Sequence, residues 1–523
     1  LPERPKGASW APKPKEVTSM VYRMDGRGFL EPGFDHLFVV PADGGTARQL
    51  TQGSFHHNGR PAWTPDGRTL LVSANRRPDW AFHPLDTDLW MVDVASGRMS
   101  VLASRDGPDN APAVSPDGRT VAVAGYEDKR LGFQPAQLRL IDIATGRSTP
   151  LAHDLDRRIR QFAWAPNGRG LYAMYDDQGN TKLIFLKRDG QRVELAANIG
   201  GTTIGRPYAS GSFSIARSGK FAFTTTRPAF PADIAVGQRG RPSRRLTHLN
   251  EDSLGTIALG KVEAFRIAST AGQVPIQGWM VKPPDFDPKK KYPLLLEIHG
   301  GPFANYGDRF SAECQLYAAA GYVVVYVNPR GSTSYGEDFA NLIHHNYPNE
   351  DYDDLMTAVD HVVARGFIDT ERLFVTGGSG GGVLTAWIVG KTSRFRAAVV
   401  AKPVINWTSF VLTADRAGFF HQYWFSGLPW DKPEEYRRRS PLYLAGNVST
   451  PTMVLTGEAD YRTPTSEAEQ FYLALKLRKV ETMMVRIPGA SHLIARRPSQ
   501  LIAKVAYILA WFQKHDRTHA ASP

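Results

Sequence analysis

Hydrophobic positions fall in short alternating runs along the first half of the chain and in near-continuous blocks along the second. In the first half one phrase recurs: Ala62-Trp63-Thr64-Pro65-Asp66-Gly67-Arg68, then Ala113-Val114-Ser115-Pro116-Asp117-Gly118-Arg119, then Ala163-Trp164-Ala165-Pro166-Asn167-Gly168-Arg169. A decayed copy runs from Ser214 to Lys220. Pro presets φ, Asp or Asn caps the turn, and Gly takes the positive φ that other residues resist, so each phrase predicts a hairpin. Alternating runs such as Thr69–Ser73 follow, and a second strand signal (Asp88–Asp93, Gln137–Asp142) leads into a Gly turn at Gly97 or Gly146. Four short strands in each unit of roughly 50 residues predict β-propeller blades and argue against a β-sandwich. Four units are clear, and an earlier partial one spans Tyr22 to Leu50, giving about five blades.

Near residue 255 the pattern changes. Edge-type strands at Phe265–Ile267 and Ile276–Val281 come first. Buried-type strands follow at Leu294–Ile298, Val323–Val327, Leu373–Thr376, Ala397–Val400 and Met453–Thr456. Between them Leu355, Val359, Val362 and Val363 sit at helical spacing, predicting a helix over 353–365, and a last helix is expected over about 499–512. Apolar strands alternating with amphipathic helices predict a doubly wound, mostly parallel sheet covered on both faces. The expected division is 1–258 for the propeller and 259–523 for the α/β part.

Composition narrows the classes. Hydrophobic residues are 42% and charged residues 22% of 523, as in a soluble globular protein of more than one domain. No apolar run is long enough to span a bilayer, so no membrane insertion is expected. The single cysteine, Cys314, excludes a disulfide scaffold; it lies in an apolar stretch and reads as a buried, inert thiol, with a nucleophilic role the alternative. The net charge of +12 is scattered, which predicts a basic solvated surface and not a nucleic-acid site, with a preference for acidic peptides or lipid surfaces as the other reading. The first residue is Leu1 and no leader-type stretch follows it, so a signal peptide is expected either to have been removed or never to have been present, and the usage of cysteine suits the cytoplasm or the periplasm equally.

Gly377-Gly378-Ser379-Gly380-Gly381-Gly382 follows a predicted strand and precedes a helix. This is the G-x-S-x-G nucleophile elbow of the α/β hydrolases, whose tight turn leaves no room for neighbouring Cβ atoms. A flexible or phosphate-binding Gly loop is the competing reading, but no Lys follows as a Walker loop needs. A serine nucleophile needs a base and an orienting carboxylate, in this fold in the order Ser, Asp or Glu, His. Asp460 ends one later strand about 80 residues on, and His492 ends the next about 30 residues after that. Glu458 is the rival carboxylate; His421, His515 and His519 are the other downstream histidines. Oxyanion donors are expected from the N–H groups of Gly380 and of Gly301 in His299-Gly300-Gly301-Pro302.

The propeller, His299–Pro302, Asn328-Pro329-Arg330-Gly331-Ser332, the elbow, Asp460-Tyr461-Arg462-Thr463-Pro464 and His492 together resemble the prolyl oligopeptidase family, in its acylaminoacyl-peptidase and dipeptidyl-peptidase-like branch. The likeness covers nearly the whole chain. It implies a serine peptidase acting on short peptides through an acyl-enzyme, with the propeller limiting substrate size and no cofactor or metal. It also implies an apolar pocket for the substrate side chain before the scissile bond, built from Trp407 and Phe410. Arg330 and Arg462 would bind a peptide carbonyl or terminal carboxylate, or form structural ion pairs. The chain departs from the family in carrying Gly380 where many members have an aromatic residue, and in showing about five blades where seven are usual. Blades upstream of Leu1 would account for the second departure, as would a small propeller. An esterase of small esters and an isopeptidase are alternatives on the same triad, and a binding module on a dead hydrolase is the non-enzymatic one. A homo-oligomer is left open.

Overall fold

The computed structural model describes residues 3, 5–203 and 205–516. Four four-stranded antiparallel sheets follow one another in the first half, each with its strands in chain order across the sheet. They run from Ala62 to Ala103, Asp109 to Leu151, Ile159 to Ala196 and Phe213 to Arg245. The repeated phrase forms the expected turn: Gly67, Gly118 and Gly168 take φ of 70°, 72° and 66°. Their N–H groups donate to Thr64 O, Ser115 O and Ala165 O, each at 2.9 Å. Asp66 and Asp117 brace two of these turns by accepting from the Thr64 and Ser115 hydroxyls.

Each sheet alone is too thin to bury an apolar face, so neighbours share their cores. Leu71 and Leu89 of the first sheet pack with Val121, Val123 and Ile141 of the second. Similar clusters join the second to the third and the third to the fourth. The expected partial unit over Tyr22 to Leu50 divides in two. Phe38–Val39 pairs with Arg48–Gln49, and Leu37 and Val39 pack against Leu70 and Val72 of the first sheet. Arg23–Met24 instead pairs with Gly28–Phe29 in a separate hairpin.

The second half is built on one eight-stranded sheet. Its spatial order is Val262–Ala268, Pro275–Val281, Val323–Asn328, Tyr292–Ile298, Ile368–Gly378, Ala397–Ala401, Thr452–Gly457 and Thr482–Ile487. The first three strands pair antiparallel and all later pairs are parallel. Helices Asp351–Val363 and Gly380–Lys391 contribute to the apolar cluster on one face, and Pro498–His515 to that on the other. This is the α/β-hydrolase arrangement joined to a β-propeller. No described helix is long and apolar enough to cross a membrane.

Segment 205–210 joins the two halves. Arg206 is 8% exposed and ion-pairs with Glu297 at 3.0 Å and Glu313 at 3.2 Å. Lys504 binds Glu313 from the last helix, so two cations and two carboxylates share one buried site. Tyr208 bridges to Tyr306 with ring centroids 4.7 Å apart. Cys314 lies beside this site, 1% exposed, and burial pushes its thiol up to about 12, as suits an inert side chain.

Candidate active site

Strand Ile368–Gly378 delivers the chain to Ser379, and helix Gly380–Lys391 begins at the next residue. Ser379 has φ 62° and ψ −121°, a strained left-handed conformation for a residue with a Cβ. The turn is held by Ser379 N–H donating to Ala401 O at 3.1 Å and Val383 N–H to Ser379 O at 2.9 Å. The flanking glycines are sterically required: a Cβ at Gly381 would sit 2.2 Å from Ile298 O. A Cβ at Gly380 would sit 3.0 Å from three backbone atoms of Gly301. A side chain at 380 would need the Gly301 loop to yield slightly, whereas glycine does not.

The same contact places the backbones of Gly380 and Gly301 side by side, and both residues border the cavity that Ser379 enters. Gly300 N–H is already used, donating to Tyr208 Oη at 2.6 Å. His299 is buried and its two ring nitrogens engage Gly300 O at 2.7 Å and Ser332 Oγ at 2.9 Å. Burial holds its imidazole down at about 4, so it is neutral at physiological pH.

Asp460 and His492 arrive from the ends of the last two strands. His492 Nδ1 lies 2.8 Å from Asp460 Oδ2. Asp460 is 2% exposed, and its carboxylate accepts from Arg462 N–H (3.0 Å), Thr463 N–H (2.9 Å) and the Thr463 hydroxyl (3.1 Å). His492 borders the cavity with Ser379. Burial and then the positive charge of Lys402 hold its imidazole below its ordinary value, with Asp460 opposing. Lys402 is tucked under the elbow and donates from Nζ to His492 O at 2.7 Å. Its ammonium is pushed down to about 7 by burial and by Arg206 and Lys504. Glu458, the rival carboxylate, is exposed and faces Arg486 at 3.4 Å.

The cavity holds about 550 Å³ between the two halves of the molecule. Trp407 and Phe410 lie in its wall, packed edge-to-face at 5.4 Å. Arg462 also borders it while pairing with Asp415 at 2.6 Å. Arg330 does not. It is 5% exposed, forked onto Asp354 and paired with Glu350, outside the cavity wall, so the substrate-binding expectation for it is corrected to a structural one. Sequence reasoning missed Tyr208, the amine of Lys402 and Thr463. Thr463 carried a signal as part of the Asp460–Pro464 motif, and Lys402 opens the Lys402–Trp407 run that leads into the aromatic wall.

The comparisons agree with this architecture. The model described as "Prolyl oligopeptidase family" matches residues 308–518. The Bacillus subtilis (strain 168) "Uncharacterized peptidase YuxL" is 34% identical over 98% of this chain and 80% of its own length. The chain belongs to the prolyl oligopeptidase family. It is a serine-type peptidase by that membership. A "Probable dipeptidyl-peptidase 5" of Arthroderma benhamiae is 27% identical over 80% of this chain, which spans 58% of that relative. Among solved structures, Pyrococcus horikoshii acylaminoacyl peptidase superposes with a TM-score of 0.83 at 22% identity, over 100% of this chain and 80% of that one.

Proposed function

We propose that this family member hydrolyses short peptides through an acyl-enzyme formed on Ser379. The observation that carries the reading is that Ser379, His492, Gly380 and Gly301 all border one cavity walled on its far side by the propeller. Ser379 Oγ attacks the scissile carbonyl while His492 Nε2 takes its proton, and Asp460 holds the ring through Nδ1. The N–H groups of Gly380 and Gly301 receive the oxyanion. The imidazolium then returns the proton to the leaving amine, and water repeats the sequence on the ester to free Ser379. The division into 1–258 and 259–523 belongs to the same reading. It is supported by the last propeller strand ending at Arg245 and the first hydrolase strand opening at Val262.

Two features favour a blocked peptide as substrate. The wall nearest the elbow is apolar and aromatic (Tyr347, Val383, Val404, Trp407, Phe410, Trp424), which suits a large apolar side chain before the scissile bond. Among the described residues bordering the cavity the charged side chains include Arg158, Arg416 and the Asp415-paired Arg462 and no carboxylate, which suits carbonyls and carboxylates better than a free ammonium. We therefore favour acylaminoacyl-type over dipeptidyl-type exopeptidase action.

The test has two parts. Fluorophosphonate labelling should vanish in Ser379→Ala. Paired acetyl-phenylalanyl and free-amino glycyl-phenylalanyl fluorogenic amides should then differ in kcat/KM in favour of the blocked form. Equal or reversed preference removes the acyl assignment and leaves the triad.

A further inference from the structure

The hairpin at Arg23–Phe29 sits on the rim of the hydrolase half. It is closed by Arg27 N–H to Met24 O at 3.0 Å and Leu30 N–H to Tyr22 O at 2.9 Å. The Arg23 guanidinium donates to Thr413 O and lies 5.1 Å from the centre of the Tyr461 ring, and the Phe29 ring lies 6.3 Å from the same ring. The tip reaches Arg496, whose guanidinium would be 3.8 Å from a Cβ at Gly26.

At its centre Asp25 makes three connections. Its N–H donates to Asp415 Oδ2 at 2.9 Å, and Asp415 in turn pairs with Arg462. Its Oδ1 accepts from Tyr461 N–H at 3.1 Å and from His492 N–H at 2.9 Å. Tyr461 directly follows Asp460. One carboxylate oxygen therefore ties together the two loops whose side chains form the Asp460–His492 pair. The backbone of His492 is gripped on both sides of its Cα, its N–H by the Asp25 carboxylate and its C=O by Lys402 Nζ. Hydrogen bonds to charged groups are about twice as strong as neutral ones, so the Asp25 carboxylate holds the peptide that enters His492 while Lys402 Nζ holds the one that leaves it, and together they fix the Cα–Cβ direction and with it the imidazole.

We propose that the Arg23–Phe29 hairpin is a clamp in which Asp25 positions His492 against Asp460 and Ser379. The proposal rests on the triad reading above, and Asp25 is a positioning residue that acts through the two loops. Nothing near Tyr22–Leu30 in the sequence marks it, because its partners lie 436 and 467 residues away. Losing the clamp lets the imidazole drift from the serine. Misplacement of about 1 Å at a reacting group costs about 100-fold in rate.

The experiment uses the full chain, a small blocked amino-acid ester and a fluorophosphonate. Asp25→Ala should lower kcat about 10- to 100-fold with KM within about threefold, and slow labelling in parallel. Asp25→Asn keeps an acceptor oxygen and should return kcat to within about fivefold of the parent, a rescue that loss of fold would not give. Asp25→Ala with kcat within about twofold of the parent overturns the clamp, as does a loss confined to KM or one that Asn leaves unrepaired. Ser379→Ala is run beside them. If it keeps labelling and turnover, the triad reading falls; if it is inert while Asp25→Ala is fully active, only the clamp falls.

Discussion

Strand Tyr292–Ile298 is buried at every position, with Leu294, Leu295, Leu296 and Ile298 at 0% exposure, whereas in propeller strand Asp88–Asp93 only Leu89 and Val92 are buried. The hydrolase sheet is covered on both faces and offers its strand ends as fixed points. The propeller sheets share modest clusters from one to the next, and many of their outer positions, such as Trp63 and Val101, remain exposed. A reaction needing sub-ångström placement belongs on the first kind of support, and an entrance or size filter is adequately served by the second. The candidate site follows this division: the elbow, the carboxylate and the imidazole all stand at ends of the hydrolase sheet, while the propeller supplies the far wall. The exceptions are the interesting residues. Tyr208 and Arg206 reach from the propeller half to the His299–Pro302 loop and the buried charges below it, and Asp25 reaches from the Arg23–Phe29 hairpin to the backbone N–H of His492.

The sharpest way to break the division is chemical. Ser379→Ala and His492→Ala should each lower turnover by about 10⁴-fold or more on every substrate tested, small or large, because they remove the reaction itself. Retained turnover in either removes that residue from the mechanism. Next comes the joint between the halves. Arg206→Met leaves Glu297 buried without its ion-pair partner at 3.0 Å, and loss of one member of a buried pair costs about 3–5 kcal/mol. Denaturant unfolding should show this loss; a change below about 1 kcal/mol would mean that the charge cluster does not hold the halves together. The smallest effect is on the pH profile. His492 must be neutral to accept the serine proton, and burial with Lys402 nearby lowers its proton affinity. The acidic limb of kcat/KM should therefore have its midpoint below about 6.5, with activity rising through it and full above. A midpoint above that value would mean that Asp460 outweighs burial and Lys402.

Much of this is legible in the sequence. The Pro-Asp-Gly phrase is local chemistry, since a turn is decided by the φ preferences of four neighbouring residues, and the expected hairpins are where the phrase puts them. The glycines around Ser379 carry their meaning in the same way. Helix 353–365 is observed as Asp351–Val363, a shift of two residues at each end, where helix boundaries fray and periodicity does not mark the last turn. The stretch Tyr22–Leu50 is β-rich as its pattern predicts, but it divides between two sheets, because which sheet a two-residue strand joins depends on surfaces far along the chain.

By itself the sequence determined the alternation of the two cores, the turn at Ser379 and the order in which serine, carboxylate and imidazole follow one another, because each is a matter of spacing and of local backbone preference. Only the tertiary structure decided that Arg330 is spent on Asp354, that Gly380 packs tightly against Gly301, and that Asp25 and Lys402 bind the N–H and C=O of His492. Those outcomes depend on which charged or polar group finds an opposite partner once distant segments meet, and a linear pattern holds no record of that distance.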